Sequence, residues 1–123
     1  MRETLSQWLE QVESVAGVLA CGARSADGSA ASRSCAAGFS EASLENVLRC
    51  VADLFQVLQH NRIASGRVRW VYGSALLHCE RRADGTCFGV FTTRDEDPQF
   101  DADGLDRLFV EFRSIGIAGP VGA

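Results

Sequence analysis

His78 and Cys87 are the side chains with the types to form a thiolate–imidazole pair. The run RVRWVYGSALLHCERR (67–82) followed by ADGTCFGVFTTRDE (83–96) reads as consecutive strands, and simple pairing puts both residues on one sheet face, one strand apart. A nucleophilic thiolate needs the imidazole within hydrogen-bond reach and a third group to orient the ring. A two-residue turn at Asp84-Gly85, however, sets Cys87 opposite Arg82, and Glu80 lies beyond His78 on the same strand. The pair is offset, and a packed cysteine beside a half-exposed histidine explains the same residues. Acid–base chemistry has a second candidate in Asp95, Glu96 and Asp97, with Asp101, Asp103 and Asp106 nearby. General-acid work needs a desolvated carboxyl, whereas an acidic loop leading into a capped helix keeps its carboxylates solvated. The spacing is not that of an EF-hand loop. Gly66, Gly73, Gly85 and Gly89 make no phosphate-binding signature before a helix.

The five cysteines, at 21, 35, 50, 79 and 87, form no Cys-x-x-Cys, and His60 and His78 lack ligand spacing for zinc. All 12 basic residues are arginine, so no Schiff-base or P-loop lysine exists. The expectation is therefore a protein without catalytic residues, metal or cofactor.

The 123 residues suit one domain, with 46% apolar content and a formal charge of -4. Acidic and basic residues are interspersed, which argues against a nucleic-acid footprint. No apolar run is long enough to span a bilayer and no signal peptide is visible, so a reduced, cytoplasmic protein with cysteines as small core residues is expected.

The elements that must position these residues follow from periodicity. In ETLSQWLEQVESV (3–15), Leu5, Trp8, Leu9 and Val12 form a helical stripe, and Gly17 can end it. Two short strands flank Asp27-Gly28. A two-residue turn there puts Cys21 and Cys35 on opposite faces, and a three-residue turn including Ser29 makes them cross-strand neighbours; both registers stay open. The stretch 40–62 is the strongest helix, capped by Ser40 or Ser43. Leu44, Val47, Leu48, Val51, Phe55 and Leu58 form its stripe, widened by Leu54, Val57 and Cys50. An arc that wide is either deeply buried or has a second partner.

Three strands follow, 67–72, 75–81 and 86–94, with turns at Gly73-Ser74 and Asp84-Gly85. With two-residue turns, one face collects Val68, Trp70, Tyr72, Leu77, Cys79, Phe88 and Val90. The other collects Arg67, Arg69, Val71, Leu76, His78, Glu80, Cys87, Gly89 and Phe91. Arg67 and Glu80 become a cross-strand ion pair worth at most ~1 kcal/mol. Arg67 and Arg69 on an edge-like strand either block pairing or flank a wanted one, and the wide helix favours the second. Leu105, Leu108, Phe109 and Phe112 give a last helix, capped by Asp101 or Asp103. The predicted architecture is α+β: a five-stranded antiparallel sheet flanked by three helices, in the order α-β-β-α-β-β-β-α. One domain would cover 1–115, and 116–123 would be a flexible tail.

This pattern resembles the roadblock/LC7 family over residues 5 to about 115. The likeness is carried by VAGVLACGARSADGSAAS (15–32), the long second helix, the RVRWVYG strand with its hairpin, and LDRLFVEF in the closing helix. The alanine-rich first hairpin, the longer acidic loop and the missing lysines depart from the usual pattern. The resemblance implies a non-enzymatic homodimerising scaffold that serves small Ras-like GTPases or larger complexes. It further implies pairing through Leu44, Val47, Leu48, Val51, Leu54, Phe55 and Leu58 on the helix, and through Arg67, Val68, Arg69, Trp70, Val71 and Tyr72 on the strand. The alternatives are a monomeric profilin-like sensor, with Gly89 leaving room for a small ligand, and a thiol enzyme using Cys87 or Cys79.

Overall fold

The computed structural model describes residues 2–34, 40–63, 66–72, 75–93 and 98–115. The order is α1 (Arg2–Glu13), β1 (Val18–Arg24), β2 (Ala30–Ser34), α2 (Glu41–His60), β3 (Val68–Tyr72), β4 (Ala75–Arg81), β5 (Cys87–Thr93) and α3 (Ala102–Phe112). The strands form one antiparallel five-stranded sheet, ordered β2-β1-β5-β4-β3, so β2 and β3 are its edges.

The helices form where apolar spacing gives them a face to bury. Leu5, Trp8, Leu9 and Val12 of α1 and Leu105, Leu108, Phe109 and Phe112 of α3 pack on one sheet face, against Val18, Cys21, Phe88 and Val90. Phe88 is fully buried at the centre, its ring 4.9 Å from Trp8, 5.1 Å from Phe109 and 5.2 Å from Phe112. Burying one such side chain contributes roughly 1.5–3 kcal/mol. The Trp8 Nε1–H donates to Glu111 Oε1 at 3.0 Å, joining α1 to α3. Asp101 caps α3 by accepting from the Gly104 N–H, and Ser40 caps α2 by accepting from the Ser43 N–H.

Among the described residues the opposite face carries α2 alone, which packs mainly on β1, β2 and β5. Gly22 and Gly89 sit opposite each other on β1 and β5, and Leu48 fills the space they leave. A Cβ at Gly22 would meet Leu48 Cδ1 at 2.7 Å, and one at Gly89 would meet Leu48 Cδ2 at 3.4 Å. The room expected for a ligand at Gly89 is therefore occupied by the chain itself.

The hairpin registers differ from the sequence expectation. Arg82 N–H donates to Thr86 O, Gly85 N–H donates to Arg82 O, and Gly85 has φ 89, so the loop between β4 and β5 spans Ala83, Asp84 and Gly85. A type I turn closed by a left-handed glycine adds one residue to the expected turn. Arg81 consequently pairs with Cys87, and Leu77 with Phe91. Phe88 and Val90 thus face α1 and α3, while Cys87, Gly89 and Phe91 face α2, the reverse of the predicted sorting. The first hairpin repeats this geometry over Ala26, Asp27 and Gly28, with Gly28 at φ 90. Cys21 then pairs with Arg33, which matches neither register considered, and Cys35 lies outside the described residues. The β3–β4 register agrees with expectation, Val68 opposite Cys79 and Trp70 opposite Leu77. The Gly73-Ser74 turn and the tail 116–123 lie outside the described residues.

Candidate functional site

The enzymatic candidates come apart in three dimensions. Cys87 faces α2, whereas His78 pairs with Val90 on the α1/α3 face, so the sheet separates them. His78 is buried, with Nε2 3.1 Å from Thr92 Oγ1 and its ring stacked on Phe100. The Thr92 hydroxyl donates to Thr93 O, so Thr92 Oγ1 accepts from the imidazole Nε2–H. Burial pushes the Cys79 thiol up to about 12, with Cys87 nearby adding to the effect. Burial also pushes Cys87 to about 11, although Arg81 and Arg24 pull it back in part. A thiol held neutral in this way is a poor nucleophile at neutral pH.

Two of the acidic groups make structural contacts. Asp101 caps α3, Asp106 pairs with Arg67 at 2.7 Å, and 95–97 lie outside the described residues. No group of three potential metal ligands occurs among the described residues. The expected Arg67–Glu80 pair does not form. Glu80 is buried and accepts from Arg113 at 2.9 and 3.1 Å, while Arg67 lies 4.8 Å over the Phe109 ring. The forked carboxylate–guanidinium geometry gives Glu80 a better partner than a side chain across the strand.

What remains is a surface beside the edge strand. Because α2 sits over β1, β2 and β5, it leaves the β3–β4 side of its face partly uncovered. A groove of about 460 Å³ runs there, lined by Val47, Cys50, Val51 and Leu54 of α2, by Trp70 and Leu77 of the sheet, and by Asn46 at its rim. The predicted helix stripe splits in two. Leu44, Leu48, Val51 and Phe55 are buried, at 2–4% exposure, within the protomer. Val47, Leu54 and Leu58 are half-buried, Cys50 is exposed, and Val57 is 56% exposed. Positions 47, 50, 54 and 57 recur at helical spacing and form a second stripe beside the buried one. Both stripes are visible in the sequence, but periodicity alone does not say which one the sheet covers.

On β3, Val68 and Trp70 turn toward the α2 side and are half-buried, whereas Arg67, Arg69 and Val71 are exposed on the other side. Tyr72 pairs through its backbone with Ala75. Within the sheet β3 pairs with β4 alone, so its outer edge carries main-chain groups with no strand partner among the described residues.

A scan against protein-family models finds no match, and a search of curated proteins finds none either. Among the described residues, no helix is long and apolar enough to cross a membrane. The structure resembles a crystal structure of a roadblock/LC7 domain from Streptomyces avermitilis, with a TM-score of 0.62 and 20% sequence identity, over 86% of this chain and 89% of that one. Element order, sheet topology and this superposition together give the chain the roadblock/LC7 fold.

Proposed function

We propose that the chain is a non-enzymatic, homodimerising scaffold that pairs through β3 and the outer stripe of α2. The observation that supports this best is the juxtaposition of an apolar groove with an open strand edge. Antiparallel pairing of β3 with its copy would satisfy the edge N–H and C=O groups and join two sheets into one. The same approach would bring the second copy's α2 to the uncovered β3–β4 strip, where Val47, Leu54 and Trp70 are each half-exposed. Of the buried members of the predicted set, Leu44, Leu48 and Phe55 support the groove from within, and Val51 forms part of its lining. A dimer so formed would present a platform for a small Ras-like GTPase or a larger complex, which is the role that the family likeness suggests.

Sedimentation equilibrium tests the reading. A stable interface hides about 1,200–2,000 Å² in total, which an edge strand and one helix face can supply, so a dimer is expected at micromolar concentration. A chain that stays monomeric throughout that range would sink the proposal.

A further inference from the structure

The edge that β3 offers to a second copy is short, Val68–Tyr72, and its two faces differ. Toward α2 it carries Val68 and Trp70, both half-buried. On the other face Arg69 is exposed and Val71 is 60% exposed. Arg67 stands just before the strand, held by Asp106 Oδ1 and over the Phe109 ring. Arg69 also interacts within its own chain. Two identical edges pair about a two-fold axis, and joining like face to like face sets that axis perpendicular to the sheet. Side chains alternate with period two, so residues opposed across the axis come from the same face. The axis therefore passes through a residue of β3 and not between two of them.

We propose that the axis passes through Trp70, so that Arg69 of each copy lies opposite Val71 of the other and these two residues specify the register. This rests on the pairing through β3 proposed above and says which residues meet in it. A centre at Trp70 pairs Val68–Tyr72 over its whole length, whereas every other centre leaves part of the edge without a strand partner. Charge argues the same way. A centre at Arg69 sets two guanidinium groups face to face, and a centre at Val68 sets Arg67 against Arg69 twice; like charges directly opposed destabilise a sheet. With Trp70 on the axis, the aliphatic stem of Arg69 lies along the exposed Val71 of the second copy. The two Trp70 rings meet on the α2 side, beside the groove that Trp70 helps to line. Arg67 falls beyond the paired segment and keeps its ion pair with Asp106.

The test is sedimentation equilibrium on charge variants of the exposed face, where a substitution leaves the protomer's core untouched. Val71→Arg sets a guanidinium against the second copy's Arg69 at both ends of the pair, and is expected to raise the dimer dissociation constant about tenfold or more. Arg69→Glu/Val71→Arg turns both oppositions into ion pairs, and is expected to bring the constant back to within about threefold of the wild type. Val71→Glu alone is expected to tighten the dimer, with a gain that shrinks as salt is raised. A centre at Arg69 or at Val71 sets like charges against each other in the double variant, so neither allows that restoration. A dimer that Val71→Arg leaves intact, that Val71→Glu weakens, or that the double change fails to restore overturns the register and leaves the association itself standing. A wild-type chain that stays monomeric at micromolar concentration removes the pairing and the register together.

Discussion

Cys79 and Cys87 face α2 from neighbouring strands, and their chemistry is set by what covers them. From an ordinary value of 9.0, burial moves Cys79 to about 12 and Cys87 to about 11. Raised pKa values mean that the unfolded chain releases these protons first as pH rises. The stabilisation from holding neutral thiols is therefore complete below about pH 9 and drains away as pH climbs toward 11 to 12. Urea midpoints measured from pH 8 to pH 11 should fall, and the fall should be shallower in a Cys79→Ala/Cys87→Ala chain. Iodoacetamide at neutral pH, read by peptide mass mapping on chain diluted until it is monomeric, should label Cys50, exposed in the protomer, well before either buried thiol. Equal labelling of Cys79 in the folded chain would contradict the burial described here. The sequence shows these cysteines as small apolar residues, but it does not show which face each occupies. That depends on one residue in a turn.

The turns explain why some elements were legible and their registers were not. Helix stripes repeat every few residues, so Leu5, Trp8, Leu9 and Val12, or Leu105, Leu108, Phe109 and Phe112, announce both element and buried face. A hairpin register instead depends on loop length, and Ala-Asp-Gly suits both a two-residue and a three-residue turn. Both hairpins take the longer form, and they do so side by side: a Cβ at Gly85 would lie 2.9 Å from the Ala26 Cβ. The β4–β5 turn is further fixed by Arg82, which is buried. Its Nε donates to Asp84 Oδ1, and Nη1 donates to Phe112 O and Ile115 O at the end of α3. Its guanidinium also lies 5.0 Å over the Phe112 ring. Partial burial pushes the Asp84 carboxyl up, but hydrogen bonds from Arg82 and Thr86 outweigh this and hold it below the usual range. That contribution is present at neutral pH and is lost as pH falls through the lowered folded value. Arg82→Ala removes the bonds that tie hairpin to helix and leaves two carbonyls short of a donor. The expected loss is about 3 kcal/mol in urea unfolding, against about 1 kcal/mol or less for exposed Arg107→Ala. A loss for Arg82→Ala no larger than for Arg107→Ala would show that the turn holds its register without it.

At the scale of the whole molecule, the apolar excess of α2 is shared between two destinations. The sheet takes Leu44, Leu48, Val51 and Phe55, while Val47, Leu54 and Trp70 border a groove that one protomer leaves open. The width of the arc was legible in the sequence; its division was not, because that depends on where α2 lies across the sheet. Gly22 and Gly89 fix the position by admitting Leu48 over β1 and β5, which leaves β3 only partly covered, through Val68 and Trp70. This division makes the two stripes separable by experiment. Phe55→Ala empties a core site and should cost about 3–5 kcal/mol in folding stability. Leu54→Asp places a charge in the open groove, so it should lower the dimer fraction in sedimentation equilibrium while the chain still folds. A far-ultraviolet spectrum like that of the wild type would confirm that folding. If Leu54→Asp unfolds the chain as Phe55→Ala weakens it, the outer stripe belongs to the core and α2 has no face left to offer a partner. If it stays folded and sediments as the wild type does, the groove does not carry the association, and pairing through β3 must stand without it.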